Sequence, residues 1–266
     1  MEITSSKNDK IKTLQRLISK SHDRRSEGLF VCEGTREIIQ AIQSGYHVEE
    51  IYKAPEILKK QDSVSIFSAL PVDIITFTIT SDIYNKIAYR ENSGGILAVL
   101  KPSEHSLTNI PLPENPLILV IDQVEKPGNL GAMMRTAEAA GISAILICDS
   151  KTDLYNPNVI RSSLGCVFRI PIAVCSIEEA GNFLRKNCAR IFLTDLEAAI
   201  SYLDADFSGP TAIVAGAEAT GIRSEWRKLA DQSIIIPMNG EHDSLNVSAS
   251  TAIVLFEAVR QRLPGK

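Results

Sequence analysis

At 266 residues, 44% hydrophobic and 23% charged, the chain has ordinary globular composition and the length of one large domain or two modest ones. A formal net charge of −4 excludes a uniformly basic coat for nucleic acid, and no apolar run approaches the roughly 20 residues that span a bilayer. The five cysteines are scattered with no C-x-x-C spacing; they read as reduced core residues of a cytosolic protein and set aside a metal or redox role.

The opening MEITSSKNDKIK is polar and charged and does not read as a signal peptide. Over residues 1–30 seven Lys and Arg stand against four acids, a local excess of three positive charges in an acidic chain. Lys7, Lys10, Lys12, Arg24 and Arg25 are the candidate contacts to nucleic-acid phosphates there, and a solvated helix face is the competing reading. Ile11, Leu14, Leu17 and Ile18 recur at helical spacing and predict a helix over 7–20. Residues 29–31 read as a short strand, 35–44 as a helix closed by Gly45, and 48–52, 74–79 and 96–100 as strands. This first region is a small α/β domain without a cluster of His, Cys or paired carboxylates.

The stretch KPSEHSLTNIPLPENP, residues 101–116, holds four prolines among polar residues and predicts an extended linker. It separates domain 1–100 from domain 117–266. In the second domain, strands are predicted at 117–121, 144–148, 191–194, 212–215 and 234–236. Helices are predicted at 130–140, 177–186 and 247–260. Apolar runs alternating with helices predict a mainly parallel sheet covered on both faces, with ligands at the carboxyl ends of its strands.

Three polar, Gly-containing turns in this second domain carry the chemistry. In EKPGNLGAMMRTAEAAG, Pro127 and Gly128 fit a tight turn, Asn129 caps the following helix, and Gly131 allows close backbone approach. Arg135 interrupts a small apolar helix there, so it must meet an anion or reach solvent. In AGAEATGI, Gly216 and Gly221 flank Glu218, which is either a structural acceptor or a site residue. In PMNGEHDSLNVS, Ser244, Asn246 and Ser248 alternate with Leu245 and Val247 at a helix start, and serve either as caps or as ligand contacts. No G-x-G-x-x-G, Walker or G-x-S-x-G sequence occurs, and His242 is the sole His in the three turns.

These residues resemble a known family. PGNLGAMMRTAEAAG, IVAGAEATGI and IPMNGEHDSLNVSASTAI, in this order and spacing, are similar to the three motifs of SpoU/TrmH-type SPOUT RNA ribose 2'-O-methyltransferases. NPNVIRSSLGCVFRIP and YLDADFSGP match as well. SSKNDKIKTLQRL and FVCEGTREI resemble the L30e-like RNA-binding domain often fused before that catalytic domain. Ala219 and Lys126 depart from the family pattern, which commonly has Gly at the first position and Asp or Asn at the second; neither departure removes a reactive group.

The resemblance implies an α/β SPOUT domain with a deep trefoil knot, behind a smaller L30e-like α/β domain. It implies S-adenosylmethionine as methyl donor, no metal, and a homodimer through the C-terminal domain. The expected substrate is RNA, most directly ribosomal RNA of the 23S type, with tRNA or a non-catalytic assembly role as alternatives. Ala215, Gly216, Glu218, Ile236, Met238 and Leu245 are the positions implied for the cofactor. Asn129, Arg135, Glu218, Ser244 and Asn246 match the active-site positions. A guanidinium is almost always protonated, so Arg135 suits a clamp on RNA phosphate and a stabiliser of developing alkoxide better than a base.

Overall fold

A computed structural model describes residues 1–89, 94–217, 220–241 and 244–263. Glu218, Ala219 and His242 lie outside the described residues. The chain forms two compact units: residues 1–104 with 153–169, and residues 105–152 with 170–266.

The first unit runs β1 (Glu2–Ile3), α1 (Asp9–Ser19), α2 (Ser21–Glu27), β2 (Phe30–Glu33), α3 (Thr35–Gln43), β3 (Val48–Lys53), α4 (Lys60–Ala69), β4 (Ile75–Ile79), α5 (Ser81–Ile87) and β5 (Ile96–Leu100). Its five-stranded sheet has the order β1-β4-β3-β5-β2, with β5 antiparallel to both neighbours and the other pairs parallel. Helix α1 starts where Asn8 accepts from the Lys10 amide at 2.9 Å, and it buries Ile11, Leu14 and Leu17, spaced to face one side. The helix predicted over 7–20 is α1, ended by the extended conformation of Lys20, and a second short helix, α2, follows it directly.

Residues 153–169 fold with this first unit, although they lie between strands of the second in sequence. They contain a short helix, α7 in chain order (Pro157–Ser162), and aromatic anchors. Tyr155 stacks on Phe30 with ring centroids 4.2 Å apart, and its hydroxyl accepts from the Ser103 amide at 3.0 Å.

Asp153 decides the fate of one predicted RNA contact. Arg24 is only 5% exposed; its Nε donates to Asp153 Oδ2 at 2.5 Å and its Nη1 to the Leu17 carbonyl at 2.6 Å. The guanidinium closes the end of α1 inside the unit, so Arg24 is corrected from a phosphate contact to an internal one. Lys10 pairs with Glu50, and Lys12 with Asp9 at 2.9 Å. Lys7 and Arg25 stay exposed without an ion pair among the described residues.

The second unit comprises β6 (Leu117–Asp122), α6 (Pro127–Ala139), β7 (Ala144–Cys148), β8 (Ile172–Cys175), α8 (Ile177–Lys186), β9 (Arg190–Thr194), β10 (Ile200–Ser201), β11 (Thr211–Ala215), α9 (Ser224–Leu229), β12 (Gln232–Ile235) and α10 (Val247–Arg262). Its seven strands are ordered β10-β12-β9-β11-β6-β7-β8, and every pair is parallel. Strands β6, β7 and β11 are buried at every position, which is why their sequences are near-continuous apolar runs rather than alternating ones, with Asp122 at the end of β6 and Thr211 at the start of β11 as the polar exceptions. Helix α8 opens with a capping box between Ser176 and Glu179 and buries Ile177, Ala180, Gly181 and Leu184. No helix among the described residues is long and apolar enough to cross a membrane.

The predicted linker is not a free extended spacer. Its second part is laid on this unit: Leu107, Ile110 and Leu112 pack on the core, and the Val174 amide donates to the His105 carbonyl at 2.9 Å. Apolar residues between prolines had somewhere to be buried, and their burial outweighs the freedom of a tether. The cysteine expectation is also corrected in part. Cys32, Cys148 and Cys166 are buried, but Cys175 is half-buried and Cys188 exposed.

Candidate active site

The carboxyl ends of β9, β11 and β12 open into a cleft of about 610 Å³, closed on one side by the turn leading into α10. That volume lies within the roughly 300–1,000 Å³ of small-molecule sites. Strand order explains the position. The chain leaves β6 toward β7 and β8 on one side, and returns to place β11, β9 and β12 on the other. The loops after the neighbouring strands β6 and β11 therefore diverge at the carboxyl ends of the sheet, and the cleft opens beside that point.

Gly216, at the end of β11, forms part of the wall. A Cβ there would sit 2.5 Å from the Gly221 carbonyl oxygen and 2.7 Å from its carbon, both backbone atoms. The Gly221 amide returns to the Ala217 carbonyl at 2.9 Å, and Gly221 has a φ of +65°, so the loop folds tightly back on its own start. At Gly216 the wall is therefore backbone alone. Ile236, Met238 and Leu245 also line it, as the resemblance implied. Ala215 does not: it is buried at the strand end, one residue short of the wall.

The catalytic positions meet partly. The helix predicted from residue 130 starts at Pro127, with Lys126 as N-cap, so Asn129 lies in its first turn and is corrected from a cap to a helical residue. Asn246 is the N-cap of α10. Its Oδ1 accepts from the Ser248 amide at 3.0 Å and the Ser248 hydroxyl at 2.6 Å, and its Nδ2 donates to Asn129 Oδ1 at 3.3 Å. Two helix N-termini thus meet through their amides at the edge of the cleft, which Asn246 and Ser244 line. The cap fixes which way the Asn246 amide faces, and one of its N–H groups has no acceptor among the described residues. Arg135 is on the exposed face of α6, makes no ion pair among the described residues and does not line the cleft. It satisfies its charge by reaching solvent.

The cleft also holds charged residues that sequence reasoning missed. Asp195, 8% exposed, follows β9 and is held by Arg227 of α9, whose Nη2 lies 3.2 Å from Oδ1, with a second, shorter bond to Oδ2. Glu197 stands 3.6 Å from the same guanidinium. The sequence carried a signal for Asp195, since TDLE directly follows an apolar strand at its carboxyl end. Arg227 carried none, because α9 comes to it only through the tertiary fold.

The sequence profile described as the SpoU rRNA Methylase family matches residues 116–256, and that of the MRM3-like substrate binding domain matches residues 8–98. The 23S rRNA (uridine(2479)-2'-O)-methyltransferase of Streptomyces viridochromogenes is 28% identical, over 98% of this chain and 93% of its own length. The 23S rRNA (guanosine(2553)-2'-O)-methyltransferase RlmP of Bacillus subtilis (strain 168) is 29% identical, over 96% of this chain and 98% of its own. The crystal structure of the SpoU methyltransferase AviRb from Streptomyces viridochromogenes, in complex with the cofactor AdoMet, superposes with a TM-score of 0.89 at 26% identity, covering 98% of this chain and 100% of that one. A parallel sheet with its Gly216 loop and paired Asn129 and Asn246 at one end, matched by a family profile over more than half its length, leads to one assignment: the chain belongs to the SpoU rRNA methylase family.

Proposed function

We propose that this protein transfers a methyl group from S-adenosylmethionine to a ribose 2'-hydroxyl of 23S-type ribosomal RNA. The observation that carries the reading is the cleft, with its backbone-lined Gly216 loop, apolar Ile236, Met238 and Leu245, and the oriented amide of Asn246 at its edge. S-adenosylmethionine would supply the methyl, its carbon–sulfur bond breaking as the bond to the ribose oxygen forms, with the neutral thioether leaving and the hydroxyl proton passing to solvent. The Gly216 loop fits such a group because a side chain there is sterically forbidden, and the cleft adds the carboxylates of Asp195 and Glu197, which also hold the Arg227 guanidinium.

The chain's own residues then have the following roles. Asn246, locked by Ser248 and joined to Asn129, donates to the ribose oxygen and holds it in line. A hydroxyl is a weak nucleophile, and a fixed N–H aimed at its developing charge is worth more than one that must reorganise. Ser244 holds the same sugar edge. Arg135, exposed on α6 and without an ion pair among the described residues, receives RNA phosphate. Glu218 keeps its place in the proposal as the residue that steadies the Gly216 loop. Lys7, Lys10, Lys12 and Arg25 on the first unit supply further phosphate contacts, with salt-sensitive affinity. The two relatives named above act on a uridine and on a guanosine, so the sugar chemistry is common and base choice falls to RNA contacts of the first unit.

Two further features belong to the proposal. A homodimer through the second unit is supported by α10, which exposes Phe256 (47%) beside half-buried Ile253 and Val259, with Leu263 (49%) exposed directly after the helix. A trefoil knot and a cytoplasmic site of action accompany the family resemblance.

Replacing Gly216 with Ala is expected to weaken S-adenosylmethionine binding by about tenfold or more in calorimetry, because a displaced backbone wall cannot keep its contacts. The whole reading is tested by mapping ribose methylation in total RNA of cells with and without the gene. A 23S site that disappears and returns on complementation supports it. A site lost only from tRNA overturns the ribosomal substrate, and no lost site at all leaves an assembly factor.

A further inference from the structure

The loop after β11 ends at Arg223, which the cleft does not use as lining. Arg223 Nε donates to Asp122 Oδ2 at 2.9 Å, and its Nη2 donates to Asp122 Oδ1 and, at 2.7 Å, to Asp149 Oδ2. Asp122 closes β6 and is 0% exposed; Asp149 follows β7. Both carboxylates hang from interior strands of the sheet, one and two places from β11. The two acids raise the Arg223 guanidinium above its ordinary pKa, chiefly through its hydrogen bonds to Asp122.

We infer that Arg223 is the positioning residue of the cofactor loop, fixing the wall of the cleft by a fork held between Asp122 and Asp149. The inference rests on the reading of the cleft as the S-adenosylmethionine site. Its physical basis is that a fully buried carboxylate must be paired. The loop cannot slide without stripping Asp122 of its partner, so the position of Arg223 is fixed. Ile222, next in the chain, lines the cleft, and so does Gly221. The Gly221 carbonyl lies against Gly216 too closely to admit a Cβ, so a shift at one end of the loop reaches the other. Arg is required for geometry as well as charge. A planar fork reaches both oxygens of Asp122 and still bridges to Asp149, whereas a lysine ammonium is a single point and cannot span them in the same way.

The test uses the full chain with Arg223→Lys and, separately, Asp149→Asn. The second variant keeps the buried Asp122–Arg223 pair and alters only the half-exposed end of the fork, so it folds even where the first does not. Dissociation constants for S-adenosylmethionine are measured by calorimetry, those for a ribosomal RNA fragment by filter binding, and folding by thermal melts. Arg223→Lys is expected to raise the S-adenosylmethionine constant by about tenfold or more and Asp149→Asn by about threefold, with RNA affinity moving less than about twofold. Cofactor affinity unchanged in the folded variants overturns the inference, as does an equal loss of RNA affinity, which marks general loosening. A parent protein that binds no S-adenosylmethionine overturns the reading of the cleft itself, and the inference with it.

Discussion

Asn246→Asp is expected to lower kcat by about 10²- to 10³-fold while leaving the melting temperature close to that of the parent. Asp caps a helix as well as Asn does, so the bonds from the Ser248 amide and hydroxyl survive. What changes is the Nδ2 side. The N–H that meets Asn129 Oδ1 at 3.3 Å becomes a carboxylate oxygen facing an amide oxygen, and the second donor is gone. A negative charge then stands where the ribose oxygen acquires its own. Steady-state methylation of a 23S fragment checks this, with calorimetry to show that S-adenosylmethionine still binds. Turnover within about threefold of the parent would remove Asn246 from the reaction and return it to a plain cap.

Arg262→Met is expected to cost about 3 kcal/mol of stability, a fall of roughly 6–12 °C in Tm for a unit of this size. Arg262 ends α10, and its guanidinium donates to four carbonyls: Phe207 at 2.9 Å, Gly209 at 2.5 Å, Asn115 at 3.1 Å and Pro116 at 3.2 Å. Those segments enter β6 and β11 from their amino ends. Gln261 adds bonds to the Ala205 carbonyl at 2.9 Å and from the Phe207 amide at 2.8 Å. Met keeps the aliphatic stem and removes every donor, so part-buried carbonyls lose their partners at once. Thermal melts with and without S-adenosylmethionine check the loss. A Tm within about 2 °C of the parent would mean that water replaces the guanidinium at no cost.

Much of the second unit is legible in residues alone. The runs in β6, β7 and β11 are apolar save for Asp122 and Thr211 at strand ends because both sheet faces are covered, and α8 carries helical period and a capping box in plain sight. The first unit is less legible. Helix α4, KQDSVSIFSA, buries Ile66 alone, so it has no stripe to read. Strand β8 was missed because four residues, IAVC, between a proline and a serine carry too little pattern. Arg24 reads as a surface cation by type and by its neighbours. Only Asp153, 129 positions away, makes it an internal partner.

By itself the sequence determined the class of the fold, the three turns and the family they belong to, because periodicity and turn chemistry are local and survive in a linear text. The tertiary structure alone decided that residues 153–169 fold with the first unit and that Asp195 and Arg227 share the cleft. It also decided that Asn246 meets Asn129 across 117 positions, and that Arg223 is gripped by acids from two strands. These are pairings between distant segments, set by strand order and by the need of each buried charge for a partner, and no window of sequence contains both members.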